Sequence, residues 1–166
     1  MHDGAMSDDG DRPSVAMARV RAHDEAVSDF NQGIIDEFRA NNGTVTAMGF
    51  GRSLALVHSV GAKSGEPRVN PLAAIRDDEG WLLPASAGGS PKNPAWYHNL
   101  KAHPDIELEY PDEQGGISTA LVTAHELTGA VRDEAWDRFK ARSSGFAEYE
   151  KAAQGRVIPV FRLSPR

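Results

Sequence analysis

The sequence predicts an antiparallel β-barrel or α+β domain rather than a doubly wound parallel sheet. Three observations carry that expectation. Two pairs of apolar, strand-like segments are joined by turn compositions, Asp77-Asp78-Glu79-Gly80 and Pro111–Gly116 (PDEQGG). The helical segments fall around these hairpins without the regular strand–helix alternation that a parallel sheet requires. The chain has 166 residues, 40% of them hydrophobic, enough for one domain to bury a full core without disulfide or metal staples.

The elements follow in order. Residues 1–12 (MHDGAMSDDGDR) have too little apolar content to pack and predict a disordered tail, leaving residues 13–166 as the folded unit. Val27, Phe30, Ile34, Ile35 and Phe38 recur at helical spacing between Asp24 and Ala40, and Asn41-Asn42-Gly43 supplies residues that tolerate a left-handed helix end. A connection marked by Gly43, Gly49 and Gly51 leads to Ser53–Val60 (SLALVHSV), an apolar run bounded by Gly61 and predicted as a strand. After a turn at Gly61–Pro67, Arg68–Arg76 and Trp81–Ala87 form the first hairpin, with Pro71 and Pro84 favouring an edge or a bulge.

Asn93 and Pro94 suit the cap and first position of a short helix that carries Trp96, Tyr97, Leu100 and Lys101 and stops at His103-Pro104. Asp105–Tyr110 (DIELEY) alternates polar and apolar residues, and Ile117–Ala124 completes the second hairpin. Val131, Ala135, Trp136 and Phe139 mark a further helix. Asp133 and Glu134 are expected in its first turn and Arg138, Lys140 and Arg142 in its last, as the helix dipole favours. Phe146–Ala153 reads as another short helix, and Val157–Leu163 (VIPVFRL) as the closing strand.

Composition excludes several function classes. A net charge of -6 argues against nucleic acid as a partner, because phosphate neutralisation needs a basic face. The absence of cysteine removes disulfides, thiolate metal sites and cysteine nucleophiles. None of the six histidines has the i, i+4 spacing of a helical zinc site, so no metal is expected; no G-x-S-x-G elbow occurs either. No apolar run approaches the roughly 20 residues that span a bilayer, and the acidic N-terminus is unlike a signal peptide, which predicts a cytoplasmic protein without a stable membrane anchor. The monomer and the homodimer both stay open.

Charge is uneven, however. Residues 61–103 carry Lys63, Arg68, Arg76, Lys92 and Lys101 against Glu66, Asp77, Asp78 and Glu79. Within this stretch Gly61–Arg68 (GAKSGEPR) offers a tight turn in which Lys63, Ser64 and Arg68 could cradle an anion; a solvated turn is equally compatible with its composition. Ser86–Leu100 (SAGGSPKNPAWYHNL) places Gly88-Gly89, Ser90 and Lys92 just before a helix N-terminus, where a flat ring or a phosphate can approach the backbone. Core packing is the commoner role for Trp96 at such spacing, and capping the commoner role for Asn93.

These two segments in this order resemble the deazaflavin (F420)-dependent nitroreductase family, and the likeness continues through ALVTAHEL, Asp133–Trp136, Tyr149 and Arg156–Val160. The resemblance implies a mostly β fold with α: a split β-barrel of the FMN-binding, pyridoxamine-phosphate-oxidase-like type, with an N-terminal helix and short helices between strands. It implies coenzyme F420, an 8-hydroxy-5-deazaflavin with a flat tricyclic ring, a phosphodiester and a glutamate tail. By motif match Lys63, Ser64 and Arg68 hold the phosphate and tail. Ser86, Ala87, Gly88 and Gly89 line the ring, Lys92 and Asn93 lie near it, and Pro71 and Trp96 support that wall.

The same resemblance implies an oxidoreductase that passes a hydride from reduced deazaflavin to a small electron-poor acceptor such as a quinone, an enone or a nitro compound, with Ser86 and Tyr149 as the candidate catalytic hydrogen-bonding or proton-delivering residues. The sequence departs from the family where Ala87 often is lysine, Ala73 often is tyrosine, and Ser143, Phe146 and Tyr149 often are three tyrosines. The alternatives are FMN in the same barrel, deazaflavin binding without turnover, and an interaction domain with a vestigial cradle.

Overall fold

The computed structural model describes residues 15–166, with side chains from Ser28 onward, so the expected tail at 1–12 lies outside the described residues. In chain order the elements are α1 (Val15–Ala40), β1 (Leu54–Val60), β2 (Pro67–Ala73), β3 (Ile75–Asp77), β4 (Gly80–Pro84), α2 (Ala95–Ala102), β5 (Asp105–Pro111), β6 (Ile117–Glu126), α3 (Gly129–Arg142), α4 (Ser144–Ala152) and β7 (Val160–Pro165). The first helix starts nine residues before the Asp24 expected from its apolar spacing. It ends as expected: Asn42 and Gly43 both take positive φ, and the Gly43 amide donates to the Phe38 carbonyl at 2.7 Å.

The strands form one seven-stranded antiparallel sheet in the order β2-β1-β5-β6-β7-β4-β3. Its two outermost strands, β2 and β3, are joined by the single residue Ala74. Consecutive residues must be neighbours in space, so the two edges of the sheet meet there and the sheet curls into a barrel. This corrects the predicted first hairpin. Arg68–Arg76 is two strands, the first paired with β1 and only the second with β4, through Ile75↔Leu82, Arg76↔Trp81 and Asp77↔Gly80. Pro71 accordingly sits on an outer strand, where a missing N–H is tolerated.

Burial explains why β1 and β4 read as continuous apolar runs. Inside the barrel, Ala55 and Val57 pack with Trp81, Leu83, Leu108, Val122 and Phe161, and α2 closes one end with Trp96 and Leu100. Outside, Leu54 and Leu56 lie under Ile34, Ile35 and Phe38 of α1, while Leu82 lies under Trp136 and Phe139 of α3. Two helical layers thus cover opposite parts of one curled sheet. Asp77 ties the β3–β4 turn to the sheet: Arg162 donates to both its oxygens at 2.7 and 3.0 Å and Arg138 to one at 2.9 Å, which holds the carboxyl well below its ordinary pKa.

Three local expectations differ. α3 begins at Gly129, so Asp133 and Glu134 lie beyond its first turn, and of the expected cations Lys140 and Arg142, but not Arg138, occupy the last turn. The cap position of α2 is Pro94, and the Asn93 side chain does not cap that helix. β7 starts at Val160, with Pro159 just ahead of it, accepting from the Ala85 amide at 2.8 Å.

Candidate active site

Strand β2 runs between two concavities. Along its outer edge lies a cavity of about 750 Å³, walled by Arg68–Leu72 of β2, by Asn31, Gln32 and Ile35 of α1, by Ala87, and by Pro94, Trp96 and Asn99 at α2. The next residues of the same strand region, Ala73 and Ala74, line a second pocket of about 410 Å³ with Phe50, Phe139, Arg142, Ser143, Phe146 and Tyr149. The chain passes from one to the other between Leu72 and Ala73.

Of the predicted residues, Arg68, Pro71, Ala87 and Trp96 line the larger cavity. Trp96 also fills the core, 6% exposed and 5.9 Å from the Phe161 ring, so its packing and wall roles coincide. Lys63 and Ser64 sit on the exposed turn before β2. That turn is closed by its own backbone, Gly61 N–H donating to the Glu66 carbonyl at 2.8 Å and Gly65 N–H to the Gly61 carbonyl at 3.0 Å, while the Ser64 hydroxyl accepts from the Glu66 amide at 3.2 Å. Among the described residues, Lys63, Arg68 and Lys92 have no carboxylate partner. Among the described residues, the Arg68 guanidinium donates to the Pro67 carbonyl at 3.3 Å.

The loop from Ala85 to Asn93 is organised quite differently. Arg156, far along the sequence, threads its guanidinium into it and donates to the carbonyls of Ala85 (3.1 Å), Ser86 (2.9 Å) and Ser90 (2.8 and 3.0 Å) and to the Asn93 side-chain oxygen at 2.6 Å. No carboxylate balances this charge among the described residues, and burial lowers its pKa below the usual arginine value. Gly89 packs under α4: a Cβ there, at φ +86°, would lie 2.9 Å from Ala152 Cβ and 3.1 Å from Tyr149 Cα. Gly88 faces open space, and Ala87 adopts φ +50°, a left-handed conformation that a non-glycine residue adopts at some strain.

Tyr149 stands in the smaller pocket, its ring edge-on to Phe146 at 5.8 Å. Ser86 lines neither cavity; its carbonyl is held by Arg156. The sequence departures fall into place spatially. Ala73, Ser143, Phe146 and Tyr149 all line the 410 Å³ pocket, which therefore holds one phenol, and Ala87 lines the other cavity.

Asn99 was not picked out in the sequence, and Arg156 only as part of the Arg156–Val160 stretch that carries the resemblance, with no role attached. Asn99, buried at 8% exposure, accepts from the Ala62 amide at 2.9 Å and so ties the Lys63 turn to α2. Its spacing from Trp96, on the apolar face of a short helix, was a usable signal. Arg156 had none, because its partners lie more than sixty residues away.

The sequence profile of the family described as F420H(2)-dependent quinone reductase matches residues 33–165. The chain belongs to that family. It is 34% identical over 111 residues to the F420H(2)-dependent quinone reductase Rv1261c of Mycobacterium tuberculosis, covering 67% of this chain and 72% of the relative. Its fold superposes with a TM-score of 0.60 on the solved structure of an F420-H2 Dependent Reductase (FDR-A), 34% identical, covering 68% of this chain and 95% of that one. A second structure, described as a domain-swapped dimer, is 28% identical with a TM-score of 0.60 and covers 89% of this chain and 99% of its own. The heme protein HutZ of Vibrio cholerae, at 16% identity and a TM-score of 0.53, shares the fold alone.

Membership in the F420H(2)-dependent quinone reductase family makes the protein an oxidoreductase of the split β-barrel class whose cofactor is coenzyme F420. The barrel closed at Ala74 is the fold expected from the resemblance. No helix among the described residues is long and apolar enough to cross a membrane.

Proposed function

We propose that this reductase holds coenzyme F420 in the 750 Å³ cavity and reduces a small quinone-type acceptor seated in the 410 Å³ pocket, within one domain spanning residues 13–166. The observation that carries this reading is the passage of β2 from one cavity into the other between Leu72 and Ala73, which brings a cofactor-sized groove and an aromatic pocket against a single strand. When bound, the reduced coenzyme supplies the hydride; the acceptor takes up that hydride and a proton, two electrons in all, to become a hydroquinone.

The cavity's chemistry fits a group with a flat ring and an anionic tail. Arg68 on β2, Lys63 on the turn beside it and Lys92, none of them paired with a carboxylate among the described residues, are suited to phosphate and glutamate charges, with the Ser64 hydroxyl nearby. Trp96 and Pro71 supply a flat apolar wall. In this reading the Ser86–Gly89 backbone and Asn93, all set by Arg156 and α4, border the ring, with Gly88 leaving space for it.

In the acceptor pocket Phe50, Phe139 and Phe146 exclude water, and Tyr149 is assigned the hydrogen bond to the acceptor oxygen that gains the proton. Ser86 is the weaker candidate for that role, since its hydroxyl is absent from the lining of that pocket. The test is a fluorescence titration with F420 and, in parallel, FMN, followed by oxidation of the reduced coenzyme by 1,4-naphthoquinone. Saturable F420 binding with turnover is the expected result, and binding of FMN instead overturns it. Binding without turnover across quinones, enones and nitro compounds would support a deazaflavin-binding role, a reading favoured by the lone phenol among Ala73, Ser143 and Phe146.

A further inference from the structure

Arg142 belongs to two pockets at once. It lines the 410 Å³ pocket and also a recess of about 200 Å³ at the barrel end remote from α2, between the first residues of β1, the bend at Ala74 and the ends of β4 and β5. Arg52 and Arg76 line the same recess, so arginines from α3, from β3 and from the connection before β1 border it. Ser53 and Ala74 are likewise shared, which makes the recess an annex of the aromatic pocket.

The cations are compensated unequally: Arg142 has no partner among the described residues, Arg76 has a distant one, and Arg52 lies near enough to the Asp112 carboxylate to help lower its pKa. Arg52 donates to the carbonyl oxygens of Asn42 (2.8 Å), Asp112 (3.0 Å) and Gly116 (3.3 Å) and to the Thr44 hydroxyl (3.2 Å), all neutral acceptors. Arg76 stacks over Trp81 and Tyr110, at 5.5 and 4.8 Å from the ring centres; its one carboxylate neighbour among the described residues, Glu113, is 3.9 Å away and 86% exposed. The Asp112 carboxylate is occupied by the Gln114 and Gly116 amides and the Ser118 hydroxyl. Arg142 makes no hydrogen bond or ion pair with any described residue. The helix dipole accounts for a cation in the last turn of α3, but not for two further arginines from distant segments in the same recess.

We infer that the acceptor is an acidic aromatic quinone, its ring in the aromatic pocket and a carboxylate or sulfonate directed at Arg142 and Arg76, with Arg52, whose terminal N–H groups are engaged by the protein, adding positive charge beside them. This deepens the reading above, since it takes the 410 Å³ pocket as the acceptor's seat. A bidentate anion contact to guanidinium, formed next to low-dielectric aromatic walls, selects the acidic acceptor over its neutral counterpart.

The test compares 1,4-naphthoquinone with 1,4-naphthoquinone-2-sulfonate in steady-state kinetics, on the wild type, Arg142→Gln, Arg142→Lys and Arg76→Gln. In Arg142→Gln the KM for the sulfonate rises about tenfold more than that for the neutral quinone; Arg142→Lys recovers most of that difference. Equal changes for both quinones, or none, overturn the inference. A second measurement needs neither coenzyme nor turnover: binding of 2-naphthalenesulfonate, followed by calorimetry in folded protein and weakened about tenfold in Arg142→Gln and by added salt. If the wild type binds the sulfonate this way yet reduces no quinone, the anion site stands and the proposed activity fails. If it reduces the neutral quinone yet shows no sulfonate binding, the activity stands and this inference is overturned.

Discussion

The Gly61–Arg68 turn and the Ala85–Asn93 loop look alike in sequence, both glycine-marked, both carrying serine and lysine, yet they are built on opposite principles. The first is closed mainly by hydrogen bonds between residues no more than five apart, with one tie to α2 through Asn99, and leaves its cations in solvent. The second is held from outside, by the Arg156 guanidinium and by the seating of Gly89 under α4. A locally closed turn can be altered piece by piece, whereas a loop held at a distance depends on one remote side chain. The same glycine-rich composition therefore predicts very different sensitivity to mutation.

The largest effect is expected at Arg156. Replacing it by Met strands the carbonyls of Ala85, Ser86 and Ser90 and should lower stability by about 2–4 kcal/mol, or roughly 5–15 °C in Tm by thermal unfolding. Coenzyme affinity should fall at least about tenfold in the protein that stays folded. A Tm within about 2 °C of wild type would erase the contrast between the two regions. Next come the adjacent glycines. Gly89→Ala should destabilise by about 1–3 kcal/mol, because its Cβ meets α4 backbone and Ala152 at a positive φ. Gly88→Ala, facing open space, should cost about 1 kcal/mol from backbone conformation alone, and the bulkier Gly88→Val should hinder ring binding in titrations. Equal losses for the two alanine variants would contradict the packing reason for Gly89.

Smaller effects are expected in the turn. Arg68→Ala and Lys63→Ala should each weaken F420 binding about three- to tenfold at low salt, less at high salt, with Tm unchanged within about 1 °C. Unchanged titration curves for both would sink the cradle assignment. The smallest change is expected for Gly61→Ala, where the new Cβ crowds the Ser64 hydroxyl, which can rotate away at the loss of its contact with the Glu66 amide. A destabilisation above about 1.5 kcal/mol would show that the turn does not absorb the added methyl by moving the Ser64 side chain.

Legibility followed the same division. The helix end at Asn42-Gly43, the strands at Leu54–Val60 and Asp105–Pro111, and the second hairpin depend on neighbouring residues and were readable as such. The break at Ala74 was not, since Arg68–Arg76 has uniform strand character and the bend arises only when the two sheet edges must meet. Asn93 illustrates the point within one residue: local rules favour a helix cap, but Arg156 takes its side-chain oxygen at 2.6 Å. In the pocket, Ala73 and Tyr149 could be picked out by resemblance, while the convergence of Arg52, Arg76 and Arg142 could not.

By itself, then, the sequence determined the antiparallel strand set, the exclusion of thiolate chemistry, the family resemblance and the basic character of residues 61–103, because each rests on composition, periodicity or motif order along the chain. The tertiary structure decided which strands pair across the closure at Ala74, that β2 separates two cavities, and which remote arginines shape them. Those outcomes depend on contacts between residues tens of positions apart, fixed by burial of two sheet faces at once, and no local pattern encodes them.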